Sequence, residues 1–97
     1  MTMNEYTESI MKNIPTPANV RQTLVQQFVS MIINDLTTKG EAHLFGGRYG
    51  MDGNRNILCA TARKVEAMFK EKGYRVSLYE YSKNNRNSYF SLSIRLE

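Results

Sequence analysis

Two alternating runs near the C-terminal end leave a chain like this little freedom. In 74–82 the apolar set is Tyr74, Val76 and Leu78, and in 88–96 it is Phe90, Leu92, Ile94 and Leu96. Side chains on a strand alternate between faces, so a one-residue slip inverts a whole strand and only registers of one parity bring both apolar sets to one side. A register that leaves Asn84-Asn85-Arg86 as a three-residue loop meets this condition, and that loop length is common in hairpins. It sets Val76 against Ile94 and Leu78 against Leu92 on the core side. On the other side it sets Arg75 against Arg95, Ser77 against Ser93, Tyr79 against Ser91 and Tyr81 against Tyr89.

Upstream, the pattern is helical. Thr2 with Glu5 forms a capping-box pattern, after which Met3, Tyr6, Ile10 and Met11 recur at helical spacing to about Lys12. Pro15 and Pro17 end that helix, and Thr16-Pro17 starts a second one that runs to Gly40. Its apolar arc holds Val20, Leu24, Val25, Phe28, Val29, Met31, Ile32 and Leu36, which makes it central. Its opposite strip, Asn19, Thr23, Gln26, Ser30, Asn34 and Thr37, carries no charge and suits an interface or cover as well as open solvent. Glu41 to Phe45 reads as a short strand, and Asn54 to Lys72 as a third helix ending at Gly73. That helix is expected to bury Ile57, Leu58, Thr61, Val65, Met68 and Phe69.

The order is α-α-β-α-β-β: a compact α+β single domain over 1–97, with a small sheet whose C-terminal antiparallel hairpin packs on helices. If 41–45 joins that sheet parallel to 74–82, a right-handed crossover lays the third helix across one face. With 97 residues the chain needs its whole core. No apolar run approaches the ~20 residues of a membrane span, and the single cysteine makes no internal disulfide, so a cytoplasmic protein is expected.

Charge is placed unevenly. Residues 1–47 hold three Lys/Arg against four Asp/Glu, whereas 48–97 hold ten against five, within an overall net charge of +4. An anionic partner is therefore favoured. The hairpin's outer face interleaves Arg75, Tyr79, Tyr81, Tyr89 and Arg95, with Lys83 and Arg86 at the tip. Tyrosines there can stack unpaired bases while cations take phosphates, and facing Arg75 and Arg95 repel until an anion relieves them.

A second candidate is Phe45 to Asn56, where Gly46, Gly47, Gly50 and Gly53 lie beside Arg48 and Arg55, between a strand and a helix. Helix N-termini attract phosphate, glycines allow close backbone approach, and arginines bind its oxygens. The spacing matches neither a P-loop nor a dinucleotide fingerprint, and glycines with Asp52-Gly53 also suit plain turns. Gly47-Arg48-Tyr49-Gly50 resembles the G-x-x-G loop of KH domains, which implies clamping of a nucleic-acid backbone. The resemblance covers four residues, and 41–46 falls between the helices that the family joins directly. A winged-helix arrangement fails because the segment before the third helix is too rich in glycine to be helical.

Other chemistry is sparse. Asp52, Asn54 and Asn56 offer one carboxylate, well short of an EF-hand. The wheel puts Cys59 on the polar side with Arg63 and Lys70 near a helix N-terminus, an environment that activates thiols. Glu41 and His43 share a strand face and would need further ligands to hold a metal. No cofactor, metal or catalytic set is expected.

These observations lead to a small basic, non-enzymatic protein that binds nucleic acid through its tyrosine-rich sheet face. Two alternatives remain. One is a regulator or inhibitor docking on a host protein, since small chains rich in Asn, Lys and Met resemble phage accessory proteins in style. The other is a nucleotide-sequestering protein using 46–56. Homo-oligomerisation is compatible with each.

Overall fold

In the computed structural model, which describes residues 2–46, 53–81 and 89–96, the chain forms three helices and three strands. They are α1 (Met3–Lys12), α2 (Pro17–Lys39), β1 (Glu41–Gly46), α3 (Arg55–Glu71), β2 (Arg75–Tyr81) and β3 (Tyr89–Arg95), the expected α+β order. Boundaries follow local chemistry. Thr2 Oγ1 accepts from the Glu5 N–H at 3.2 Å, and the Glu5 carboxylate accepts from the Thr2 N–H, which completes the capping box. Thr16 Oγ1 caps α2 by accepting from the Asn19 N–H at 3.2 Å, with Pro17 in the first turn. Gly40 closes α2 at φ 79°, a left-handed conformation that glycine adopts without a Cβ penalty, and leads straight into β1.

The sheet order is β1-β3-β2, with β3 antiparallel to both neighbours. The β2–β3 register is the one that apolar parity requires: Val76 faces Ile94, Leu78 faces Leu92, and Tyr81 faces Tyr89. β1 runs parallel to β2, but β3 lies between them, pairing Ala42 with Ile94 and Leu44 with Leu92. The last strand in sequence is thus central. Its inward residues Phe90, Leu92 and Ile94 are almost fully buried, while their partners on β2, Val76 and Leu78, are half-buried at the edge.

Both α2 and α3 pack on this one face, where Phe28, Ile32, Leu36, Leu58, Ala62, Val65 and Phe69 join the sheet's inner side chains in a single core. Phe28 stacks on Phe90 with ring centroids 5.9 Å apart. The one buried polar side chain among the described residues, Thr61, donates to the Ile57 carbonyl at 2.8 Å. At Gly46 an added Cβ would overlap the Phe90 ring, so the glycine is a packing requirement of the β1 end. Gly46→Ala is expected to cost about 1–3 kcal/mol, as overpacking does. A urea midpoint equal to the parent's would show that the ring has room to retreat.

Two expectations for the helices need correction. α3 is rotated so that Cys59 and Ala62 are buried with Leu58, while Ile57 and Met68 are exposed. The helix packs beside α2 as well as on the sheet, and a wheel centred on its largest residues does not account for two unequal neighbours. α2 buries only Phe28, Ile32 and Leu36, while Val20 and Met31 are exposed. At ~1.5 Å per residue, this helix is about 35 Å long, against roughly 23 Å for a seven-residue strand. Its C-terminal end is fixed to β1 by Gly40, so its N-terminal end overhangs the sheet. α1 buries none of its residues and packs on no other described element. The molecule measures 59 × 34 × 21 Å with a radius of gyration of 17.0 Å, against about 12–13 Å for a compact chain of this length.

Candidate nucleic-acid interface

With both helices on one side, the outer face of the sheet is left uncovered by any described residue. The registers arrange it in cross-strand rows. At one end, Glu41, Arg95 and Arg75 form a row, followed by His43, Ser93 and Ser77. Phe45, Ser91 and Tyr79 come next, and Tyr89 beside Tyr81 ends the face. Five of the residues singled out from sequence, Arg75, Tyr79, Tyr81, Tyr89 and Arg95, therefore share it. Lys83 and Arg86 lie outside the described residues.

The aromatic end is a shallow trough. Ser91 forms its floor on the central strand, Phe45 and Tyr79 flank it at 57% and 62% exposure, and Tyr81 and Tyr89 close it with ring centroids 4.9 Å apart. Phe45 was not singled out from sequence. Its signal was parity, since Ala42 and Leu44 face inward and the residue after Leu44 must face out.

About 14 Å away, four strand residues along, lies the cationic end. A hollow of about 500 Å³ wraps the β2 edge there, lined among others by Lys70, Arg75, Ser77, Ser93 and Arg95. Lys70 is a second addition, reaching the edge from the last turn of α3, where it also stands 3.7 Å from Glu66. The repulsion between Arg75 and Arg95 is smaller than sequence alone suggests, because Glu41 lies 4.0 Å from Arg95 on the other side. The row keeps one net positive charge.

Between the two ends, His43 Nδ1 is 3.0 Å from Ser93 Oγ, and His43 Nε2 is 3.6 Å from a Glu41 carboxylate oxygen. Serine, histidine and carboxylate thus meet in space, which no spacing revealed. The trio lies on an open face. β3 is paired on both sides, so its backbone N–H groups are committed to the ladder and none near Ser93 can serve an oxyanion. Among the described residues no third His, Cys, Asp or Glu joins Glu41 and His43 as a metal set.

The other candidates sit apart from this face. Gly46 is the final residue of β1, facing the core, and Gly53 and Arg55 lie at the start of α3. Gly47, Arg48 and Gly50 lie outside the described residues. At the α3 N-terminus the Asn54 side chain already accepts from the N–H groups of Asn56 and Ile57, at 3.1 and 3.3 Å, so two of the donors a phosphate would use are occupied. The expectation of an activated Cys59 is corrected. The thiol is buried, and burial, helped by Glu80, pushes its pKa up against the opposing influence of Arg63. Arg63 is instead engaged with Glu80 at 2.8 Å. The chain matches no protein-family model, and no curated protein or solved structure matches it.

Proposed function

We propose that this is a non-enzymatic binding protein for single-stranded nucleic acid, which it takes along the outer face of its sheet. The observation that carries the reading is one surface, uncovered by any described residue, with a four-ring trough at one end and a cationic hollow at the other. Bases stack on Phe45, Tyr79, Tyr81 and Tyr89, and the backbone passes over Ser77 and Ser93 toward Arg75, Arg95 and Lys70. β1 ends at Gly46 and β2 at Tyr81, both beside the trough. The open, elongated face suits an extended strand better than a mononucleotide, which favours enclosure. None of the described helices is long and apolar enough to cross a membrane.

Salt dependence tests the reading. Neutralising two or three phosphates on a single strand gives a slope of about −1.4 to −2 in log affinity against log salt. Raising salt from ~50 to ~200 mM should therefore weaken binding of a mixed-sequence oligonucleotide roughly tenfold by fluorescence anisotropy. An affinity that does not change over that range overturns the proposal.

A further inference from the structure

The side of the molecule opposite the sheet face carries a different feature. Between the overhanging half of α2 and the start of α3 runs an apolar groove of about 320 Å³, floored by Val25, Ile57 and Ala60 and rimmed by Arg21 and Lys64. A second hollow of about 330 Å³ shares Arg21, Val25 and Lys64 and prolongs the groove to Ala18. Meanwhile α1 holds Met3, Tyr6, Ile10 and Met11 on one side, all exposed, and covers no other described element. We propose that α1 of one copy lies in the α2–α3 groove of a second copy, and the reverse, forming a two-fold dimer by exchange of α1.

Size and charge both support this occupant. The groove follows α2 from Ala18 to Val25 and α3 from Asn56 to Lys64, about 11–12 Å at helical rise, and α1 is about 15 Å long. An amphipathic helix of three turns seats its apolar side in such a groove through residues three and four apart. The described charges of α1 are Glu5, Glu8 and Lys12, a net of −1, while the groove rim is positive. Glu8 borders the apolar arc next to Met11, which in the proposed dimer brings a carboxylate to the groove rim where Arg21 and Lys64 lie.

The hinge explains why the partner is a second copy. The groove begins one residue beyond Pro17, so a chain filling its own groove would have to reverse within 13–16. That segment instead holds a settled geometry. Asn13 and Ile14 donate to the carbonyls of Ile10 and Met11, Thr16 is extended and caps α2, and Pro15 and Pro17 restrict what remains. α1 is thereby held away from its own groove and free for another, and exchanging an identical element is a low-cost route to a dimer.

Sedimentation of the full chain over an about hundredfold concentration range tests this. A monomer–dimer equilibrium is expected. Ile10→Asp should abolish the dimer without altering the thermal transition of the monomer, since α1 buries nothing. Lys64→Glu should weaken it roughly tenfold, each exchange counting twice in a two-fold dimer, and Glu8→Lys in the same chain should restore most of that loss. A monomer at every concentration overturns the proposal. So does a dimer indifferent to Ile10→Asp, or a scattering radius showing α1 folded back in a monomer.

Discussion

Phe90→Ala is expected to remove about 3–5 kcal/mol of folding stability, the range for a fully buried aromatic truncated to alanine. Phe90 is 1% exposed, sits on the central strand, stacks on Phe28, and fills the space that Gly46 leaves open. No neighbour can collapse into the vacancy easily, because helix, strand and glycine backbone meet there. A domain of ~100 residues holds roughly 5–15 kcal/mol in all, so the variant should lie close to the unfolding threshold. Tyr89→Ala, one residue earlier and on the opposite face, is the comparison. Tyr89 loses a ring contact with Tyr81 but is 40% exposed, and about 1 kcal/mol is expected. Urea melts of the two variants read the difference. Equal midpoints would mean that the two faces of β3 are not distinguished as described.

The second large effect concerns the trough. Tyr79→Ala combined with Tyr89→Ala should weaken single-stranded oligonucleotide binding by at least about thirtyfold, since each stacked base is worth ~1–3 kcal/mol on an aromatic side chain. Both rings lie on the outer face, so the core is left intact, and a near-UV and thermal comparison confirms that the loss is not unfolding. The pair tests more than charge does. Cations on the segments at 47–52 and 82–88 attract any polyanion whatever the sheet does, whereas only stacking requires Tyr79 and Tyr89. Parent-like affinity in the double variant would move recognition off the sheet. A matching loss in Phe45→Ala is expected, and parent-like affinity in that variant would remove β1 from the binding surface.

Much of this architecture follows from short-range patterns. Thr2 and Glu5, Thr16 and Pro17, Gly40, and Asn54 before α3 each place a helix end through hydrogen bonds or backbone freedom within a few residues. The hairpin register is as local, because alternation with period two allows only one parity and the loop length selects within it. Hence five residues of the candidate face were legible from alternation alone, together on one side of the hairpin. Their common exposure was not, since nothing in 75–95 says where α1 and α2 lie.

Tertiary packing decided what depends on distant partners. Insertion of β3 between β1 and β2 brought Phe45 beside the tyrosines, set Glu41 against Arg95, and joined His43 to Ser93 across fifty residues of sequence. The rotation of α3 buried Cys59 and turned out Ile57, because α2 and the sheet press on it from two sides. α1 shows the same division. Its ends and its apolar stripe are written in 2–14, but a stripe states only that something apolar should cover it. What covers it depends on length and angle, and here a stiff hinge and an overhanging α2 carry that stripe away from its own core.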